Sequence, residues 1–130
     1  MDSDRTLIRE INRVYDFAYK LSASEEAAQS TTYQTLRGFV PGTAVSGLLA
    51  NCWNLYSEST TVPDRNLDPV MQALNLLDPL ARCVVILKDY YGFSDGVATA
   101  VTGLSGPQLR EICAAGRQQL KKCLVHRSAS

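Results

Sequence analysis

The sequence has few of the residues from which metal sites and catalytic centres are built. Its 130 residues include one histidine, His126, and the four cysteines, at positions 52, 83, 113 and 123, form no Cys-x-x-Cys pair. Structural zinc needs several such ligands at short spacings, and a hydrolytic triad needs a histidine beside its nucleophile. We therefore expect no metal, cofactor, small-molecule substrate or enzymatic activity, and we expect the cysteines to be reduced thiols in the core or on helix faces.

Long apolar runs and an excess of one charge are also missing. No segment approaches the ~20 apolar residues that cross a bilayer, and no apolar signal segment follows the polar residues 1–5. This pattern predicts a cytoplasmic protein that does not bind membranes. The 13 basic residues equal the 13 acidic residues in number. Binding of nucleic acid would therefore require a local basic patch.

Apolar residues that recur every three or four positions predict helices along most of the chain. Clusters of proline and glycine near residues 38–42, 63–69 and 92–107 interrupt this pattern. Ser24, which two glutamates follow, and Asp78, which precedes a proline, are typical of helix starts. The sequence therefore predicts an all-α protein.

The organisation of the chain changes near residue 58. Residues 58–66 have no periodicity and predict a linker between an N-terminal domain at 1–57 and a C-terminal domain at 67–130. In the second domain, a short helix at 94–102, a turn at 103–105 and a longer final helix are expected in that order. This order is the outline of a helix-turn-helix.

Several short motifs follow one another along the chain. They are VYDFAYKL at 14–21, EAA at 26–28 with TL at 35–36, LLANCWNL at 48–55, LDPLAR at 77–82, YGFS at 91–94 and GLS at 103–105. Through these motifs the sequence resembles, over nearly its whole length, the small bacterial sigma factors of the extracytoplasmic-function (ECF) group. The resemblance implies two small helical lobes, a region two at 1–57 and a helix-turn-helix region four at 67–130.

The resemblance also implies where partners bind. In the family, the helix at the position of 26–37 docks on the RNA polymerase core, largely through acidic and amide side chains. The matching positions make Glu26, Ser30, Gln34 and Arg37 the candidate residues for binding polymerase or another partner. Ser30 stands where the family has Asp and Gln34 where it has Glu, so charge-assisted contacts become neutral ones of roughly half the strength.

The segment at 42–55 resembles the helix with which the family handles the downstream promoter element. Strand separation needs cations beside stacking aromatic rings. However, no Lys or Arg occurs between Arg37 and Arg65. Because Trp53 and Tyr56 are spaced as core residues, we expect them in the core rather than as stacking platforms. The sequence therefore predicts no DNA melting.

The final helix is locally basic, with five cations and one acid. Gln108, Arg110, Arg117 and Lys121 are therefore candidate DNA-binding residues, and Gln108 is able to read an adenine edge. The alternative is that these cations form an ordinary solvated face and a C-terminus that compensates the helix dipole. The sequence leaves both interpretations open.

Two functions of different class fit these features. The first is a degenerate sigma factor, or sigma mimic, that binds an anti-sigma factor or another transcription protein through an apolar groove between the lobes. The second is an active ECF sigma factor that binds the polymerase core and reads an upstream promoter element. A third is a DNA-binding module limited to the helix-turn-helix. The missing cations and the neutral positions 30 and 34 favour the first function, and the basic final helix favours the second.

Overall fold

Helices form the regular structure of residues 2–40 and 42–128, which a computed structural model describes together with the side chains of 7–40 and 42–125. The helices are α1 (Asp2–Ser22), α2 (Glu25–Leu36), α3 (Val45–Ser57), α4 (Pro69–Leu76), α5 (Pro79–Val85), α6 (Asp95–Thr102) and α7 (Gly106–Ser128). A π-helical turn, Ile86–Tyr90, continues α5. The predicted all-α fold is confirmed. The side chain of His126 lies outside the described residues.

The N-terminal half consists of α1, α2 and α3, which pack on one another. Helix α1 ends at Ser22, and the next residue, Ala23, has a left-handed backbone (φ 57°). The Ser24 hydroxyl then accepts a hydrogen bond from the amide of Ala27 at 3.2 Å, so the predicted N-cap of α2 is confirmed. The buried hydroxyls of Thr32 and Thr35 donate to carbonyls one turn earlier in the same helix. These bonds allow the polar interior of α2 to be buried.

The C-terminal half consists of α4 to α7. The carboxylate of Asp68 caps α4 by accepting from the amide of Met71 at 2.8 Å. Asp78 also precedes a helix, α5, but its side chain makes no capping hydrogen bond. The predicted helix start at Asp78 is nevertheless confirmed, because Asp78 is the N-cap residue of α5. Pro79 at the first position of α5 already fixes a helical φ and has no free N–H to satisfy.

The two halves share one hydrophobic core. Helix α3 lies against α6, and α1 contacts α4 and α5. Buried side chains of both halves form one continuous cluster, with Phe17 and Leu49 from the first half and Leu87 and Val101 from the second. The division into domains at 1–57 and 67–130 stays a prediction, because the helices on either side of residues 58–66 are packed together.

Residues 58–68, which contain no helix, are attached to the junction of α1 and α2. The amide of Asp64 donates to the carbonyl of Ala23 at 2.7 Å. Its carboxylate accepts from the amide of Glu25 at 3.1 Å, at the N-terminus of α2. The predicted linker thus adds a carboxylate to a helix end whose free amides favour negative charge.

A buried arginine joins the halves. The side chain of Arg82 in α5 is 6% exposed. Its Nη1 donates to the carbonyl of Leu21, at the end of α1, and to the hydroxyl of Tyr56 in α3 at 2.9 Å. Nε and Nη2 donate to the carbonyls of Leu74, Asn75 and Leu77, at the end of α4. All five guanidinium N–H groups are therefore used, and the C-termini of two helices are capped by one cation.

A second polar contact lies close to this junction. The Tyr91 hydroxyl donates to Asp16 of α1 at 2.5 Å. Lys20 pairs with the other oxygen of Asp16 at 2.6 Å and lies 4.0 Å from the centre of the Tyr90 ring. Burial, followed by the hydrogen bond to Asp16, raises the pKa of Tyr91. Tyr91 therefore stays protonated and keeps the donor that connects the two halves.

The cysteines are free thiols, as predicted. Cys52 on α3 and Cys83 on α5 are fully buried, Cys113 on α7 is nearly so, and Cys123 is half-buried. Burial raises the pKa of Cys52 to about 12, although a hydrogen bond with Thr35 opposes this shift, and burial also raises the pKa of Cys83. The residues whose side chains are described hold no cluster of His, Cys, Asp and Glu that would bind a metal ion.

We expect the protein to lose stability in alkali because of these thiols. A thiol whose pKa is higher in the folded than in the unfolded state stabilises the fold. This contribution is complete below the unfolded pKa, near 9, and is lost as the pH rises from there towards the folded pKa. In this pH range the Cys52 thiol should lower the free energy of unfolding by about 1.4 kcal/mol for each pH unit. Urea titrations at pH 8.5, 9.5 and 10.5 measure it. Cys52→Ala should flatten this dependence, and an unchanged slope would contradict the assignment.

Candidate functional site

Three of the four predicted partner-binding residues lie on one face of α2. Glu26, Ser30 and Gln34 follow one another at intervals of one helical turn. They line a groove of about 380 Å³ whose opposite wall comes from Leu55 and residues 59–62. Within the described part of the chain, these three side chains make no hydrogen bond or ion pair, so their polar atoms are free for a partner.

The fourth residue, Arg37, lies apart from them. It follows the last turn of α2 and borders a second groove, of about 400 Å³, between α1 and α2. The walls of this groove are mostly apolar; they are formed by Leu7, Ile11, Tyr15, Gln29, Thr32, Tyr33, Leu36 and Arg37. The structure therefore divides the predicted partner-binding set between a polar and an apolar groove.

Helix α3, which matches the promoter-melting helix of the resembled family, is turned inward. It packs against α6, α2 and α1, and its residues Leu49, Cys52 and Tyr56 are at most 8% exposed. Trp53 is partly buried against the same core, and its ring centroid lies 5.9 Å from that of Tyr56. The expectation of a core position is confirmed for Tyr56, whose hydroxyl also accepts from Arg82, whereas Trp53 packs against the core and is only partly buried.

The helix-turn-helix is well formed. Ser94 caps α6 by accepting from the amide of Val97, and the helix ends at Gly103 with a left-handed φ of 76°. Glycine suits this position because a side chain there would be strained. Ser105 then accepts from the amide of Gln108, and the Gln108 side chain accepts from the amide of Ser105 at 3.1 Å. The predicted base-reading residue therefore belongs to a capping box at the start of α7.

Arg117, the second candidate cation of α7, is paired with a carboxylate on the preceding π-helical turn. Its Nε and Nη2 donate to both oxygens of Asp89, at 2.6 to 3.0 Å. This hydrogen bonding raises the pKa of Arg117. A bidentate pair of this kind fixes the guanidinium in direction as well as position.

Arg110 and Lys88 converge on a second carboxylate, in the first turn of α6. Asp95 lies 2.7 Å from the Lys88 ammonium and 3.9 Å from the Arg110 guanidinium. The hydrogen bond from Lys88 and its charge lower the pKa of Asp95. Lys121, the remaining candidate, is exposed and makes no ion pair within the described residues. Three of the four predicted DNA-binding side chains, those of Gln108, Arg110 and Arg117, are thus paired with other groups of the same chain.

The contacts made by Arg82, Asp89 and Asp95 were not apparent from the sequence. The acceptors of Arg82 are mostly backbone carbonyls. Every residue has one, so the sequence does not show which of them a side chain will bind. The two aspartates precede the final helix, so a charge count confined to that helix omits them. Counting over 88–117 instead would have included both carboxylates and shown three basic residues against three acids.

Comparison with known proteins supports the fold. No protein-family model and no curated protein matches the sequence. Among solved structures, the sigma factor RpoE from Bartonella quintana, in complex with the anti-sigma factor NepR, is similar with a TM-score of 0.78. The chain has the fold of a sigma factor. The two proteins are 20% identical, and the similarity covers 95% of this chain and 96% of that one.

The sigma-factor fold thus confirms, at the level of architecture, the resemblance inferred from the motifs. It places α2 and α3 in the first half and the helix-turn-helix in the second, in the order that the motifs predicted. No helix in the described part of the chain combines the length and the hydrophobicity of a membrane-spanning segment.

Proposed function

We propose that this protein is a sigma-like transcription regulator that acts by binding a protein, of which an anti-sigma factor is the best candidate, and that it does not open promoter DNA. The observation that carries the proposal is the position of α3. The helix packs against α6, and its Tyr56 is held by Arg82 of the opposite half. In this position the Tyr56 ring is buried and the Trp53 ring is partly covered, whereas single-stranded DNA binds by stacking on exposed rings.

The similarity to a sigma factor that was solved with its anti-sigma factor supports a protein partner. The polar groove on α2 is a suitable docking surface, since Glu26, Ser30 and Gln34 can accept or donate hydrogen bonds without first breaking internal ones. We propose that these residues contact the partner. Because Glu26 is the only charged residue of the three, we expect this face to recognise its partner through hydrogen bonds rather than through charge.

The proposal predicts no transcript from this protein alone. Purified protein added to core RNA polymerase should give no run-off product, whereas it should bind an anti-sigma factor from the same cell in a calorimetric titration. It should also restore transcription by an active sigma factor that the anti-sigma factor inhibits. A run-off product that depends on this protein would overturn the proposal.

The docking surface is tested by introducing bulk and charge. Ser30→Arg with Gln34→Arg should weaken binding of the anti-sigma factor at least about tenfold, a loss of 1.4 kcal/mol or more. The matched control is Gln118→Arg with Gln119→Arg, which adds the same charge at exposed positions of α7. Equal weakening by both pairs would rule out the α2 groove as the site.

An active sigma factor is the second candidate function, and one observation favours it. The helix-turn-helix has a left-handed glycine, a capping box and a long final helix. Protein-dependent run-off transcription is the result that would select this alternative.

A further inference from the structure

The cations on the outer side of the helix-turn-helix form a network with two carboxylates. Lys88, Arg110 and Arg117 line a cleft of about 300 Å³ above Leu109 and Cys113. Asp95 lies between Lys88 and Arg110, and Asp89 pairs with Arg117. The three positive charges are therefore reduced to a net charge of one, although α7 taken alone is basic.

We propose that Asp89 and Asp95 are internal counterions that keep the helix-turn-helix from binding the DNA backbone. A phosphate that approached Arg117 would have to displace a bidentate carboxylate that already satisfies the same N–H groups. It would also meet the negative charge of the displaced side chain. The proposal goes beyond protein binding, because it concerns a different face of the molecule and holds whether or not an anti-sigma factor binds α2.

The arrangement explains how the helix-turn-helix can be well formed while its cations are paired with carboxylates and are not available to phosphate. Arg110 and Arg117 are more than half exposed, so only the carboxylates, and not burial, separate them from a ligand. Exposed ion pairs contribute little to stability. Removing the carboxylates should consequently release the cations without unfolding the protein.

Asp89→Asn with Asp95→Asn tests the proposal. The probe is a 30-base-pair duplex of random sequence, labelled with a fluorophore and titrated at 50 to 200 mM salt. Each phosphate contact contributes about 0.9 to the slope of log K against log salt. Two released cations should therefore steepen the slope by about 1.8, and affinity at 50 mM salt should rise about tenfold or more above that of the unmodified protein.

Two further variants separate this proposal from a simple charge effect. Glu58→Gln with Asp78→Asn makes the same change in net charge at exposed positions without side-chain partners in the described residues, and it should leave DNA binding unchanged. Adding Arg110→Ala and Arg117→Ala to the first pair should abolish the gain. Absence of any gain, an equal gain in the control pair, or a gain that survives loss of both arginines would each overturn the proposal. None of these results bears on binding of the anti-sigma factor at α2.

Discussion

Arg82→Met is expected to lower the free energy of unfolding by at least about 3 kcal/mol. The substitution keeps an apolar stem of similar length but removes all five donors at once. It leaves the carbonyls of Leu21, Asn75 and Leu77 without their side-chain donor in a buried site, whereas that of Leu74 keeps the amide of Leu77. Since each orphaned buried acceptor costs about 1–3 kcal/mol, partial entry of water does not cancel the loss. Urea denaturation followed by far-ultraviolet circular dichroism measures it.

Three companion variants sharpen this experiment. Arg82→Lys retains the charge but has fewer donors and no planar fork, so it should recover only part of the loss. Tyr56→Phe removes a single acceptor and should cost about 1 kcal/mol. Arg65→Met, at an exposed position of 58–68, should change stability by no more than about 0.5 kcal/mol. A loss below 1 kcal/mol for Arg82→Met would show that the guanidinium does not cap the two helices.

Helix order and helix ends could be predicted because they depend on local chemistry. Apolar spacing determines which face of a helix is buried, and Ser24 and Gly103 act on amides or dihedral angles within a few residues. The packing of α3 on α6 could not be predicted in this way. It brings together segments about 45 residues apart, and the polar residues 58–66 are typical of a flexible linker as much as of one held by Asp64.

The contacts of the candidate DNA-binding residues could likewise be predicted from the sequence only where they are local. Residue type shows that Gln108, Arg110 and Arg117 carry donors or charge suited to DNA, because these belong to the side chain itself. Whether they are free depends on neighbours. Gln108 is used in a capping box three residues away, a local signature that was present in the sequence. Arg117 is paired with Asp89 across 28 positions, which only the fold reveals.

Phe17→Ala is expected to destabilise both halves by about 3–5 kcal/mol, as large cavities in well-packed cores do. Phe17 is fully buried in α1, and its ring lies 6.3 Å from that of Tyr91 in the other half. The fluorescence of Trp53, the single tryptophan, reports on the first half, whereas circular dichroism reports on all helices. Urea denaturation recorded with both probes tests whether the halves unfold together.

In a shared core, both probes should shift to lower urea by the same amount in Phe17→Ala. Tyr33→Ala, which removes a ring that is 69% exposed on α2, should shift neither probe appreciably. If Trp53 fluorescence shifted while circular dichroism kept a second, unshifted step, the C-terminal half would be folding on its own. The α3 surface would then be able to separate from α6 at little cost. Coincident shifts would instead mean that exposing α3 to DNA requires breaking the core itself, which is the physical basis for proposing that the protein does not open promoter DNA.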